Sequence, residues 1–196
     1  VCETRIDGYI CPSDSLNTPV LRPSSGFGYD LHAMSYKGMQ GRTDSGSFNW
    51  DNLGSEVDTS KKSWRGVLHT VGANGSVVLG NEKMASVKDG TSNTIMVGDS
   101  RQPTDTPGRG AFYGHSKWGY NLALAVPTDP YTLNSDYEVC SANTSSGVCR
   151  RILASDHPGG LNTVRVDGSC HFLSETTNLD VYAALCTIAN QDSTSN

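Results

Sequence analysis

Charge is scarce in this chain. Charged residues are 18% of its 196 residues and apolar residues 36%, both low for a cytosolic globule. No basic run exceeds two residues (Lys61-Lys62, Arg150-Arg151), and the formal net charge is −5. The concentrated cationic footprint that nucleic acid demands is therefore missing. No apolar stretch approaches the ~18 residues of a membrane span; Leu122–Val126 is the longest. Cys-x-x-Cys is absent, which argues against a zinc ribbon or a thioredoxin-type site. The five histidines (32, 69, 115, 157 and 171) contain no His-x3-His pair, so no transition-metal site is expected. A Gly-x-Ser-x-Gly elbow, a phosphate-binding glycine loop and solenoid-length repeats are also lacking.

Small polar residues fill the gap: 24 Ser, 17 Thr and 13 Asn, beside 21 Gly and 8 Pro. Such a chain makes turns and short strands, which excludes helix-only folds and coiled coils. Six cysteines are present, an even number: Cys2, Cys11, Cys140, Cys149, Cys170 and Cys186. Of fifteen possible pairings, the sequence-local set is the simplest: Cys2–Cys11, Cys140–Cys149 and Cys170–Cys186. Two sequons, at Asn74 and Asn143, mark possible glycosylation. Together these features point to an oxidising, extracellular or cell-surface setting. Val1 then reads as a processed or truncated start.

The patterning predicts a single domain over residues 1–196. Its class is α+β and β-rich: an antiparallel sheet with long loops and a C-terminal helix packed on it. Strands are expected at Tyr9–Cys11, within Tyr29–Gly41, at Arg65–Val71, at Gly75–Leu79 and at Thr94–Val97. Met84–Val87 reads as a short helix or turn. Residues 43–62 and 127–149 read as loop insertions, the first pinned by Phe48 and Trp50, the second closed by Cys140 and Cys149. Asp167-Gly168 between two alternating runs, Leu161–Val166 and Ser169–Leu173, is a hairpin signal. Thr177-Asn178-Leu179-Asp180 forms a capping box. Leu179, Tyr182, Ala183 and Cys186 then make a helical stripe, which Cys170–Cys186 would clamp to the preceding strand.

Several constellations invite a chemical reading. Ser155-Asp156-His157 followed by Asp167 contains the residue types of a triad, but neighbours in sequence rarely aim at one another. The expected role of His157 is architectural, bonding backbone or reaching Asp167 across the hairpin. Gly98-Asp99-Ser100 matches an esterase-type start without the late Asp-x-x-His. Asp44-Ser45-Gly46 is half of an aspartic-protease signature, and such carboxylates work in pairs. Asp129, Asn134 and Asp136 make an oxygen-rich loop, with Asp14, Asp30 and Asp44 in others. One structural calcium is the ion such loops suit; no other cofactor is expected. Trp50, Trp64, Trp118, Tyr113 and Tyr120 either stack on glycans or pack a core.

Taken in order, these segments resemble one family of secreted or envelope-associated bacterial proteins, with a prepilin-type N-terminus and a C-terminal His-x9-Asp-Gly motif. The resemblance rests on Tyr9-Ile10-Cys11-Pro12-Ser13-Asp14, Ser35–Gly38, Arg65–Leu68 and Val87–Gly98, whose centre is Asp89-Gly90-Thr91-Ser92-Asn93-Thr94. It continues through Ser155–Gly160 and Asn162 to Asp167-Gly168-Ser169, and into the terminal helix over Leu179–Ala189. Asp99 stands where the family usually has Glu, and Ala189-Asn190-Gln191 replaces its usual Gly-Gly-Glu. The resemblance implies a pilin-like globular domain without catalysis, a homopolymeric filament subunit. The long apolar helix of typical members is not in this sequence, so assembly is expected to use β-strand contacts, with Val1–Cys11 pairing to a neighbouring sheet edge. His157, Gly159, Gly160, Asp167, Gly168 and Asp89–Asn93 are then structural motif residues. A secreted glycan- or partner-binding module is the alternative, and a serine hydrolase is less favoured.

Overall fold

A computed structural model describes the chain except residues 1–2, 16–19, 25–27, 45–49, 52–58, 75–76, 102–106, 116–119 and 191–196. Its centre is a five-stranded mixed sheet. β1 (Ala33–Met34) lies outside it, paired with β6 (Ala111–Phe112), and β3 (Gly72–Asn74) pairs with β4 (Val77–Leu79) in a second small ribbon. The main sheet contains β2 (Tyr36–Arg42), β5 (Ile95–Asp99), β7 (Leu122–Ala125), β8 (Gly160–Arg165) and β9 (Cys170–Ser174), in the order β7-β2-β5-β8-β9. Neighbours are antiparallel except β2 and β7, which run parallel. Among the described residues three short α-helices flank these strands: α1 (Tyr137–Asn143), α2 (Ser146–Cys149) and α3 (Leu179–Leu185). The α+β, β-rich architecture with its closing helix matches the sequence reading.

Side-chain alternation sorts the core into layers. Met39, Ile95, Ala123, Ala125, Leu161 and Leu173 face α3, which adds Tyr182, Ala183 and Cys186. Leu124 and Val126 point to the opposite face and pack with Trp50, Leu79, Val148 and Ile152. Trp50 is fully buried and donates its indole N–H to the carbonyl of Arg42 at 3.0 Å. It therefore anchors the 43–62 insertion, while Phe48 lies outside the described residues. A buried ion pair reinforces that anchor: Arg151 Nε to Asp51 Oδ2 at 2.6 Å.

Several local expectations need correction. Tyr9–Cys11 is no strand; Asp7–Tyr9 is a 3-10 turn, and Ile10 and Cys11 are buried by docking onto the sheet end. Arg65–Val71 makes only a bridge from Arg65 to Gly41, because the chain turns away after Leu68 bonds Met39. The 127–149 insertion contains two helices, joined through Cys140–Cys149. The cap of α3 is Asn178, one residue later than the predicted box; its side chain accepts from the N–H groups of Asp180 and Val181.

Of the cysteine pairings, Cys140–Cys149 forms. Cys11, Cys170 and Cys186 are free thiols. Cys170 cannot reach Cys186, because it shares the outward parity of Phe172 on β9 whereas Leu173 faces α3. Cys2 lies outside the described residues.

Candidate functional site

β5 and β8 are antiparallel neighbours, with Ile95 opposite Arg165 and Gly98 opposite Thr163. Their two ends gather the sequence motifs into two separate knots. At the first end the turn Asp89–Thr94 opens β5. Asp89 Oδ2 accepts from Thr187 Oγ1 (3.1 Å) and from the N–H of Asn190 (2.9 Å), tying the turn to the chain after α3. Asn93 Nδ2 donates to the carbonyl of Asp89 at 3.2 Å. The hydroxyl of Thr94 donates to the carbonyls of Gly90 (3.0 Å) and Thr187 (3.3 Å). The hairpin turn docks here too: the N–H of Asp167 donates to the carbonyl of Thr91 at 3.2 Å. Asp167 Oδ1 accepts from the N–H and hydroxyl of Ser169, which hold its carboxyl below the usual range. Gly90 and Gly168 supply the positive φ of the two turns (+97° and +86°), while Thr91 and Ser92 are turn positions with their side chains outward or half-buried.

The second knot lies at the other end of the same strands. The carbonyl of Tyr9 accepts from the N–H of Ser35, and the hydroxyl of Ser35 donates to Asp14 Oδ2 at 2.7 Å. Ser15 donates its N–H and hydroxyl to Asp156 Oδ2 (3.0 and 2.8 Å), and Arg101 Nη1 donates to Asp156 Oδ1 (2.8 Å). Burial alone would raise the Asp156 carboxyl, but the Arg101 and Ser15 bonds outweigh it and lower it. The hydroxyl of Ser155 donates to the carbonyl of Gly160 (2.6 Å) and accepts from the N–H of His157 (3.1 Å), closing the Pro158-Gly159 turn.

Between these ties sit Cys11, Asp99 and His157. His157 Nε2 lies 3.5 Å from Cys11 Sγ and 3.6 Å from Asp99 Oδ2. One sulfur, one nitrogen and one oxygen thus lie within 4.8 Å of one another. Asp99 is 3% exposed. Its Oδ2 accepts from the backbone N–H (2.7 Å) and side-chain Nδ2 (3.2 Å) of Asn162. Burial raises the Asp99 carboxyl above the usual range, with those bonds and the His157 charge offsetting only part of the rise. This trio was not expected from sequence. Each member sits in a motif read separately, and separations of 58 to 146 residues carry no spacing signal.

The triad reading does not survive the geometry. Ser155 is spent on backbone, Asp156 faces Ser15 and Arg101, and Asp167 stands at the far end of β8, about 17 Å away for six strand residues. In the Cys11 trio, thiol and carboxylate face the same ring nitrogen, whereas a relay sets nucleophile and acid on opposite nitrogens. Asp44 engages Arg42 and Lys61. The calcium candidates are occupied elsewhere: Asp129 accepts from Tyr131 and Thr144, Asn134 bonds Glu175 and Ser155, and Asp136 pairs with Arg101. Asp14 lies in the second knot, and Asp30 pairs with Arg22. Of the aromatics, Trp50 is core, Trp64 is flanked by Arg42 and Lys61 over its ring, and Trp118 lies outside the described residues. Tyr113 packs its ring at a tilt against that of Tyr9, and Tyr120 is buried. Asn74 and Asn143 are both exposed.

A mixed α+β domain bound together at both sheet ends is thus the class of structure these motifs build. The chain belongs to the family described as a protein of unknown function (DUF1559), which matches residues 1–180. No curated protein matches the chain, and no solved structure does.

Proposed function

We propose that this chain is a non-enzymatic structural subunit of an extracellular or cell-surface assembly, a pilin-like domain that associates with copies of itself. The observation that carries this reading is the open edge of the main sheet. The opposite edge strand, β7, is partly covered, since the N–H of Leu124 donates to the carbonyl of Arg151. β9 ends the sheet with no further strand beside it among the described residues. Cys170, His171, Phe172 and Ser174 are exposed along it, Phe172 to 56%. Backbone groups on an uncovered edge are a template for another strand, and β9 carries no Lys, Arg, Asp or Glu. Asp7–Tyr9 is a 3-10 turn and not an extended segment, which favours β9 as the contact strand. Two β9 edges pairing with each other close into a two-fold dimer; a filament needs a second, different surface as well. The Cys140–Cys149 disulfide fits an oxidising compartment.

Phe172→Lys tests the reading, because an edge lysine blocks strand addition without touching the core. Native chain at high concentration is expected to form dimers or regular filaments by electron microscopy and light scattering, and the variant to stay monomeric with an unchanged circular dichroism spectrum. A monodisperse native particle of about 21 kDa, or equal assembly by both proteins, would overturn it.

A further inference from the structure

We propose that Cys11, Asp99 and His157 form a binding site for a zinc-class divalent cation, which crosslinks the N-terminal segment to the sheet. The reading is independent of self-association through β9. Three lines of geometry converge on it. First, thiol and carboxylate both face His157 Nε2, at 3.5 and 3.6 Å. The carboxylate spacing is too long for a direct hydrogen bond. It fits a shared ion: zinc holds sulfur at about 2.3 Å and nitrogen or oxygen at about 2.0–2.2 Å, so tetrahedral ligand atoms lie about 3.3–3.8 Å apart. Second, the donor set is one sulfur, one imidazole nitrogen and one carboxylate oxygen, the mixture that selects zinc over the hard cations calcium and magnesium. Third, the carboxylate is held in a fixed orientation. Asn162 holds Asp99 Oδ2 with two N–H groups, the outer-shell support that fixes metal ligands. Asp99 Oδ1 accepts no hydrogen bond from the described residues.

Three protein ligands leave a fourth position. The cleft beside Cys11 and Asp99 is lined by Asp14, Ser35, Ser100 and Ser155, polar groups suited to a bound water there. The ligands come from three chain segments that share no strand: the turn after Asp7–Tyr9, the end of β5 and the loop before β8. One ion would therefore fix at a point what sheet hydrogen bonds alone leave to separate ties.

The test uses the full chain with its Cys140–Cys149 disulfide intact and carrying Cys170→Ser, which removes the one exposed thiol among the described residues. Titration with Co²⁺ is expected to give a thiolate-to-cobalt near-ultraviolet band saturating at one equivalent, displaced by Zn²⁺. Cys11→Ser should abolish the band, and Asn162→Ala should weaken affinity about tenfold through the outer shell alone. Should Cys11→Ser fail to fold, the same question is put to the native chain: Zn²⁺ should protect Cys11 from alkylation and leave Cys170 reactive. Absence of the band, its persistence in a folded Cys11→Ser, alkylation of Cys11 unaffected by Zn²⁺, or a Cys2–Cys11 disulfide in native material would each overturn the site.

Discussion

His157 Nε2 lies 3.6 Å from Asp99 Oδ2, while Asp167, the residue that the His-x9-Asp-Gly spacing couples to His157, is held at the other end of β8 by Thr91 and Ser169. The motif is therefore two half-motifs, each serving a different knot. Residues in contact couple energetically, and distant residues add. A double-mutant cycle on Asp99→Asn and His157→Gln, read by urea unfolding, is expected to show coupling of about 0.5–3 kcal/mol. The cycle on Asp167→Asn and His157→Gln should be additive within about 0.5 kcal/mol. Equal coupling in the two cycles would contradict the two-knot arrangement.

The two glycines that open β8, Gly159 just before it and Gly160 at its first position, are expected to differ in cost. A Cβ on Gly160 would stand 2.1 Å from the carbonyl oxygen of Leu173 on the paired strand, and backbone cannot yield as a side chain tip can. Gly160→Ala should cost more than about 3 kcal/mol by forcing β8 and β9 apart. Gly159 has open space around it but φ of +81°, so Gly159→Ala should cost only about 1–2 kcal/mol of backbone strain. Chemical denaturation of the two variants reads the ranking, and a reversed order would mean the hairpin register is wrong.

Local signals in the sequence translated well, and long-range ones did not. The hairpin over Gly160–Ser174 was legible because its turn and both alternating runs are contiguous. The stripe of α3 was legible for the same reason, down to Tyr182, Ala183 and Cys186 in the core. Tyr9–Cys11 was misread because burial of Ile10 and Cys11 looks the same in sequence whether a strand neighbour or a docking knot supplies it. α1 and α2 were missed since each is two turns or less, too short to show a helical stripe, and they are held by a crosslink instead of propensity. The disulfide guess for Cys170 failed on parity, one residue deciding which face of β9 the thiol takes. The trio of Cys11, Asp99 and His157 exists only once β5 and β8 are paired and the N-terminal segment folds back over their ends.

Breaking the Cys140–Cys149 disulfide should be costly but local. It closes a loop of nine residues in sequence separation, for which chain entropy gives about 2–3 kcal/mol. Val148 of α2 belongs to the Trp50 cluster and Cys140 is fully buried. Cys140→Ser/Cys149→Ser is therefore expected to lower stability by that amount and to raise hydrogen exchange first in α1 and α2, with β8 and β9 still protected. Exchange rising equally in the β8–β9 hairpin would show that the helices are not a separable unit.

Lys37 sets a pH dependence of its own. It is buried on β2, donates Nζ to the carbonyl of Arg150 at 2.7 Å, and burial followed by the Arg151 charge lowers its pKa to about 7. In the unfolded chain the same ammonium titrates near ~10.4. Below pH 7 both states hold the proton, and the native state bears the full cost of burying a charge. Above pH 7 the native state releases the proton while the unfolded chain keeps it, so this contribution to stability rises with pH. The buried Cys186 thiol, raised by desolvation, works in the opposite sense once the unfolded thiol ionises near ~8.5. The difference between native chain and Lys37→Met over pH 6.5–8.5 isolates the lysine. Stability of the native chain should gain on the variant by on the order of 1–2 kcal/mol across that window, with Lys37→Met the more stable at the acid end. Parallel urea midpoints for the two proteins would mean that Lys37 stays protonated in the fold, paired by something other than the Arg150 carbonyl.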